Sequence, residues 1–309
     1  MRDHFIKTLT EIAAQDKNII LITGDLGFGV LNDFEKQFPT QYINVGVAEQ
    51  NMTGLATGLG MSGKTVFTYS IGNFCTLRCL EQIRNDACYH EANVNIISIG
   101  GGFSYGALGY SHHATEDIAI MRALPNIEIF CPADFWETEE ITKYIATHKG
   151  VHYLRLDKSS AGRTNKEGEV FQPGVARVVR EGTDFTIFAT GGILEEAVKA
   201  ATTLQSQGIE CRVVSIHTIK PIDETAIIAA ANETGGILSL EEHTIHGGLG
   251  SAISEVLMDN NTYPKKFHRM ALRNGFSTIV GSQYYLREQY GLNADSVSKK
   301  IKSLLQENP

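Results

Sequence analysis

Short apolar runs recur along the first half of the chain, at 19–23, 66–69, 94–99, 127–130 and 153–156. The stretches between them carry apolar residues three and four positions apart. The runs have strand length, and the spaced stretches at 48–60, 74–90 and 134–147 have the period of helices with one buried face. Alternation of this kind predicts a mostly parallel sheet covered on both sides. Asp134, with Glu137 three residues on and Pro132 just upstream, reads as a helix start of the capping-box type. The polar segment 157–172, DKSSAGRTNKEGEVFQ, has no periodicity and marks a boundary. Beyond it, strands at 185–189, 211–215, 237–240 and 267–272 alternate with helices at 194–207, 224–231 and 250–258, and an amphipathic helix closes the chain at 294–305. The reading is α/β with two domains, 1–160 and 173–309, each a mostly parallel sheet flanked by helices.

Composition narrows the partners. The chain has 309 residues and a formal net charge of −8, with no Lys/Arg block to displace counterions, which argues against nucleic acid and anionic membranes. The start MRDHFIKTL lacks the pattern of a signal peptide and no stretch reaches the length of a membrane span, so a cytoplasmic location is expected. The cysteines at 75, 79, 88, 131 and 211 form no C-x-x-C pair and read as buried thiols in a reducing compartment.

Candidate chemistry concentrates in a few strings. In Asn44-Val45-Gly46-Val47-Ala48-Glu49-Gln50-Asn51-Met52 a carboxylate stands at a first helical turn among small and apolar neighbours. It is either an acid favoured by the helix dipole or one whose burial suits it to hold and donate a proton. His112 and His113, followed by Glu116 and Asp117, have the composition of a metal site, but consecutive side chains rarely converge on one ion. Gly100-Gly101-Gly102 and Gly106 do not match G-x-G-x-x-G, and are expected to let backbone approach a ligand or cofactor after a strand. Gly247-Gly248-Leu249-Gly250-Ser251 reads as tight strand-to-helix packing, with an anion site as the alternative.

The string G-V-A-E-Q-N-M-x-G-x-A-x-G-L from Gly46 resembles the pyrimidine-domain signature of the transketolase family, and is close to that of deoxyxylulose-phosphate synthase. The likeness continues through Phe74, Arg78, Glu81-Gln82-Ile83-Arg84, Gly109, Ser111 and His112, then Glu116-Asp117, Arg122 and Pro125-Asn126. In the second domain it covers Ala189-Thr190-Gly191, Thr218-Ile219-Lys220-Pro221-Ile222-Asp223, Glu241-Glu242-His243, the 247–251 turn and Gln289-Tyr290-Gly291-Leu292. The resemblance implies thiamine diphosphate as cofactor. Glu49 would hydrogen-bond its aminopyrimidine ring, Gln50 and Arg78 would stand beside it, and Phe74 would stack on the ring, with the second stacking position falling on Ile71. His112 would contact substrate near the reacting carbons.

Departures from the family pattern accompany the match. The diphosphate-binding half, with its G-D-G motif and metal-binding Asn, has no counterpart; Gly24-Asp25-Leu26-Gly27 is the nearest string. The resemblance therefore implies a separate N-terminal diphosphate-binding subunit that holds Mg²⁺, in an α2β2 assembly transferring a two-carbon ketol unit between sugars or sugar phosphates. The aspartate that reads a substrate hydroxyl falls on Leu108, a loop histidine falls on Gly100, and a phosphate-holding arginine falls on Lys158, while Arg2 matches a second. Altered sugar preference is expected. The alternatives are the beta subunit of a 2-oxoacid dehydrogenase, a deoxyxylulose-phosphate-synthase-like enzyme and a non-catalytic scaffold subunit.

Overall fold

The computed structural model describes residues 1–273 and 275–307. Among these residues twelve strands form two sheets: β1 (Ile19–Thr23), β2 (Tyr42–Asn44), β3 (Thr65–Ile71), β4 (Val94–Ile99), β5 (Ile127–Phe130), β6 (Val151–Leu156), β7 (Arg177–Arg180), β8 (Phe185–Ala189), β9 (Cys211–Ser215), β10 (Thr218–Lys220), β11 (Ile237–Thr244) and β12 (Phe267–Leu272). The first sheet runs β10-β5-β6-β4-β3-β1-β2 and the second β12-β11-β8-β9-β7. Both are parallel except at one edge, where β10 lies antiparallel to β5 and β7 antiparallel to β9. The central strands β1, β4, β6 and β8 are buried along their whole length, as continuous apolar runs in parallel sheets require.

The strand β10 is the one element that crosses over: it follows β9 of the second sheet yet pairs with the first. Ile216 and Ile219 explain why. Both are buried in a single apolar cluster that contains Ile127, Val151 and Met121 of the first unit and Phe188, Val214 and Ile253 of the second. The two sheets thus share a core.

The helix Phe135–Thr147 begins as its sequence predicts. Asp134 accepts the Glu137 amide at 2.7 Å, while Glu137 turns back to the Ala133 amide, also at 2.7 Å. The stretch expected as one helix over 74–90 differs. It breaks into a short α-helix Gly72–Cys75, a 3-10 turn Leu77–Cys79, a second α turn Leu80–Gln82 and a π-helix Ile83–Cys88. Its buried positions explain the change: Cys75, Cys79, Ile83 and Ala87 recur every fourth residue, wider than the α period of 3.6. Holding all four in the core needs wider turns, which the π-helix supplies. All five cysteines are free and buried. Among the described residues no helix is long and apolar enough to cross a membrane.

Candidate active site

Glu49 stands where the first sheet's parallel strands end, on the side where α/β sheets form their ligand crevices. Asn44, the last residue of β2, accepts the amides of Asp25 and Gly46 at 3.0 Å and ties the turns after β1 and β2 together. Gly46, at φ +73°, then swings the chain into the helix Glu49–Met61. The Glu49 side chain is 3% exposed and pairs with Arg78, whose Nη1 donates to Oε2 at 2.9 Å. No hydrogen bond from the described residues reaches Oε1. The Arg78 side chain, 44% exposed, lies at the rim, so the carboxylate is buried while its partner faces outward.

From this pair a series of ring and cation contacts runs on to Lys158. The Arg78 guanidinium lies 4.3 Å from the Phe74 ring centroid, and the Phe74 ring meets His112 edge-on at 5.3 Å. His112 in turn faces Tyr105 at 6.4 Å, and Lys158 Nζ sits 4.1 Å from the Tyr105 centroid. Burial, and then the neighbouring His113, lower the His112 pKa, favouring the neutral ring. Ser111 Oγ lies 3.0 Å from His112 Nδ1. Beside this series opens a cleft of about 690 Å³ between the two units, lined by Phe74, Arg78, His113, Glu116 and Tyr290 among others.

The loop that carries His112 is fixed from behind. Asn73 Nδ2 donates to the carbonyls of Ser111 and His113, at 3.2 and 2.8 Å, and Gly102 and Ala114 form a two-residue bridge across the loop's base. Glu242 of the second sheet accepts the Phe103 amide at 2.5 Å and Gln283 Nε2 at 2.8 Å, and is bound by the Arg287 guanidinium. Arg287 also reaches Ser159 at 2.6 Å. Asp117 is bonded by Tyr153 at 2.6 Å and Arg155 at 2.8 Å. These groups are buried, and apart from Asp117 Oδ1, which has no hydrogen-bond partner among the described residues, their pairing ties the loop to both units.

The glycine run, expected to let backbone approach a ligand, meets protein instead. A Cβ at Gly100 would overlap the Tyr105 ring, and one at Gly102 the Glu242 carboxylate. The 247–251 turn likewise meets the chain's own anion, since Glu241 accepts the amides of Leu249 and Gly250 at 2.7 and 2.8 Å. Of the residues singled out from sequence, Glu49, Arg78, Phe74 and His112 come together. Ile71 ends β3 and pairs with Ile99, and Gln50 is exposed one residue beyond Glu49. Leu108 is exposed beside Lys158 in a second cleft of about 560 Å³. Arg2, paired with Asp3 at 2.8 Å, lies near Tyr69 and Tyr105. Sequence reasoning missed Tyr105 and Asn73; each stands within two residues of a marked position, but neither carries a family signal.

The fold and this constellation define a pyrimidine-binding domain joined to its C-terminal partner domain. Residues 1–163 match the family described as "Transketolase, pyrimidine binding domain" and residues 174–297 the family "Transketolase, C-terminal domain". The chain belongs to the transketolase family and corresponds to its C-terminal half. It is 36% identical over 96% of its length to an apulose-4-phosphate transketolase subunit of Phocaeicola vulgatus, covering 95% of that protein. It is also 36% identical to a 6-deoxy-6-sulfo-D-fructose transketolase subunit of Clostridium sp., over 96% of this chain and 92% of that one. Among solved structures it resembles a split-gene transketolase in the form of an inactive beta4 tetramer, with TM-score 0.87 and 36% identity over 98% of this chain and 97% of that one. Transketolases depend on thiamine diphosphate.

Proposed function

We propose that this chain is the C-terminal subunit of a two-chain, thiamine-diphosphate-dependent transketolase, with Glu49 placed against the cofactor's aminopyrimidine ring. The observation that carries the reading is a buried carboxylate with one oxygen held by Arg78, which lines an aromatic cleft with Phe74, and the other oxygen without a protein partner among the described residues. Such a group is shaped to hold or release a proton at a ring nitrogen away from bulk water. Phe74 offers one face for stacking, backed by the Arg78 guanidinium, and Ile71 takes the second position without an aromatic. Bound there, thiamine diphosphate supplies the electron sink for cleaving a carbon–carbon bond. His112, neutral and fixed by its loop, faces the substrate side.

Mg²⁺ and the diphosphate fall to a separate N-terminal subunit in an α2β2 heterotetramer, since the sequence offers no G-D-G motif followed by Asn. The relative that is an inactive tetramer of beta chains supports the need for that partner. A cytoplasmic setting suits the five free thiols. The relatives are named for apulose 4-phosphate and 6-deoxy-6-sulfo-D-fructose, sugars with an anionic group away from the carbonyl, and the same substrate class is inferred here. With Leu108 at the hydroxyl-reading position, preference shifts away from ordinary pentose phosphates; xylulose 5-phosphate used at full transketolase efficiency would contradict this.

The test is reconstitution with the diphosphate-binding subunit, thiamine diphosphate and Mg²⁺, assayed with ketose plus aldose and, in parallel, with pyruvate plus an electron acceptor. Ketol transfer is expected, and Glu49→Gln lowers kcat by about 10²–10⁴-fold while the complex still assembles. Full turnover by Glu49→Gln would sink the assignment and favour a scaffold role.

A further inference from the structure

The second domain holds a cationic pocket of about 430 Å³ that the site above does not use. It lies along β12, the free edge of the second sheet, beside the closing helix Ala294–Gln306. The period of that helix builds one wall. Val297, Ile301 and Leu304 turn into the core, while Ser296, Lys299, Lys300 and Ser303, at spacings that share one face, line the pocket. Opposite them stand His268 of β12 and Arg273, which follows the strand. Arg269 also lines the pocket but is engaged elsewhere, its Nη1 donating to the Ile245 carbonyl at 3.1 Å and to Ser251 Oγ at 3.3 Å. Among the described residues the side chains of Arg273, Lys299 and Lys300 make no ion pair or hydrogen bond, and no carboxylate lines the pocket. Burial foremost, then Lys300 and Arg273, lower the His268 pKa, with Glu307 at the helix end opposing them. Cations set in one concave site repel each other, and the field they focus gathers anions, here in a chain whose net charge is −8. Lysines that only guard a free sheet edge stand on the edge strand itself. These come from the helix packed beside it.

We propose that this pocket binds a compact polyphosphate anion, free or carried on a small metabolite, held by Arg273, Lys299 and Lys300 with Ser296 and His268 as uncharged hydrogen-bond partners. Three uncommitted cations around a single cavity call for several negative charges close together, and Arg and Lys both donate to phosphate oxygens. Mg²⁺-bound thiamine diphosphate does not meet that need, because the metal and its own thiazolium largely cancel its charge. Arg273 and Tyr290 line both this pocket and the cleft between the units, and Tyr290 stacks on Phe103 at 5.4 Å. An occupant therefore bears on the wall of that cleft, whatever reaction the cleft serves.

The test titrates the purified full chain with sodium tripolyphosphate by calorimetry, without Mg²⁺, at low and at high salt. Binding at one site per chain is expected, weakening as salt rises. Lys299→Gln, Lys300→Gln and Arg273→Gln should each weaken it about tenfold, as for a lost hydrogen bond to a charged group. Lys302→Gln removes the same charge from the same helix at a side chain that bonds Gln207 outside the pocket, and should leave affinity unchanged. None of the four side chains is buried, so thermal melts should match wild type. Adenosine triphosphate binding more tightly than tripolyphosphate marks a carried polyphosphate as the occupant, and weaker binding marks a free one; either keeps the site. Orthophosphate binding as tightly as tripolyphosphate overturns the polyphosphate assignment. So do no binding at all, equal losses in Lys302→Gln and Lys299→Gln, and a loss produced by Lys158→Gln instead, which would move the anion to the cleft beside Tyr105.

Discussion

Arg78 is the residue on which the candidate site turns, because it touches both the buried acid and the stacking ring. Its guanidinium donates to Glu49 and lies close enough over Phe74 to hold that ring against the cleft. A lysine there keeps the charge but loses the planar face and the fork of donors. Arg78→Lys is therefore expected to lower kcat of the reconstituted enzyme by about tenfold, and Arg78→Leu by more, since the latter leaves Glu49 buried without a partner. Stability should move little in Arg78→Lys, which keeps a cation at the half-exposed end of the pair, whereas Arg78→Leu should also destabilise the chain because the Glu49 carboxylate is buried. Steady-state kinetics beside chemical denaturation separate the two effects. Equal activity in Arg78→Lys and wild type would show that charge alone suffices.

At the scale of elements, the segment joining the sheets carries a pH dependence of its own. His217 lies between β9 and β10, fully buried, with Nδ1 2.8 Å from Thr218 Oγ1 and its ring 4.8 Å from Phe171 of the polar segment at 157–172. Burial foremost, and then Arg177, push its pKa down to about 3; Asp134 and Glu169 oppose the shift only partly. The unfolded imidazole takes its proton near pH 6.5 and the folded one does not, so this contribution to stability is complete above that pH and is lost as pH falls toward 3. Between pH 7 and 5 wild type should lose roughly 2 kcal/mol more than His217→Phe, read from urea midpoints. Parallel losses in both proteins would show that His217 does not drive the change. How far such elements were legible depends on what fixes them. The strand Val94–Ile99 and the capped start at Asp134 are local matters of apolar runs and side-chain reach, and the structure reproduces both. The crossing strand β10 is three residues long, and only the shared core around Ile219 decides which sheet takes it. The 74–90 stretch has apolar spacing close to the α period, and although its cysteines read as buried, the small gap between a four-residue recurrence and 3.6 is too slight in one short segment to announce wider turns. For the site, Glu49 and His112 stand in strings a family shares, whereas Tyr105 takes its place through the missing side chain of Gly100, a relation no linear pattern displays.

For the whole molecule, the surroundings of Glu49 point to a second chain. Val47, two residues before it, is 76% exposed, Phe28 in the turn after β1 is 77% exposed, and Leu77, next to Arg78, is 48% exposed. Burying these exposed apolar side chains at a seam would recover roughly 25 cal/mol for each Å² covered. That seam is where the proposed partner would complete the cofactor site. Val47→Asp changes no buried group, so the isolated chain should melt as wild type does. Mixed with the diphosphate-binding subunit, thiamine diphosphate and Mg²⁺, it should assemble more weakly in sedimentation, because an unpaired charge would have to be desolvated at the contact. Turnover should recover as the partner is raised in excess, which distinguishes lost assembly from lost chemistry. On the proposed assembly, the wild-type chain alone should give no calorimetric signal with micromolar thiamine diphosphate and Mg²⁺, since the groups proposed to hold the diphosphate would lie across the seam. Tight binding by the lone chain, or undiminished assembly of Val47→Asp, would place the cofactor somewhere other than between two polypeptides.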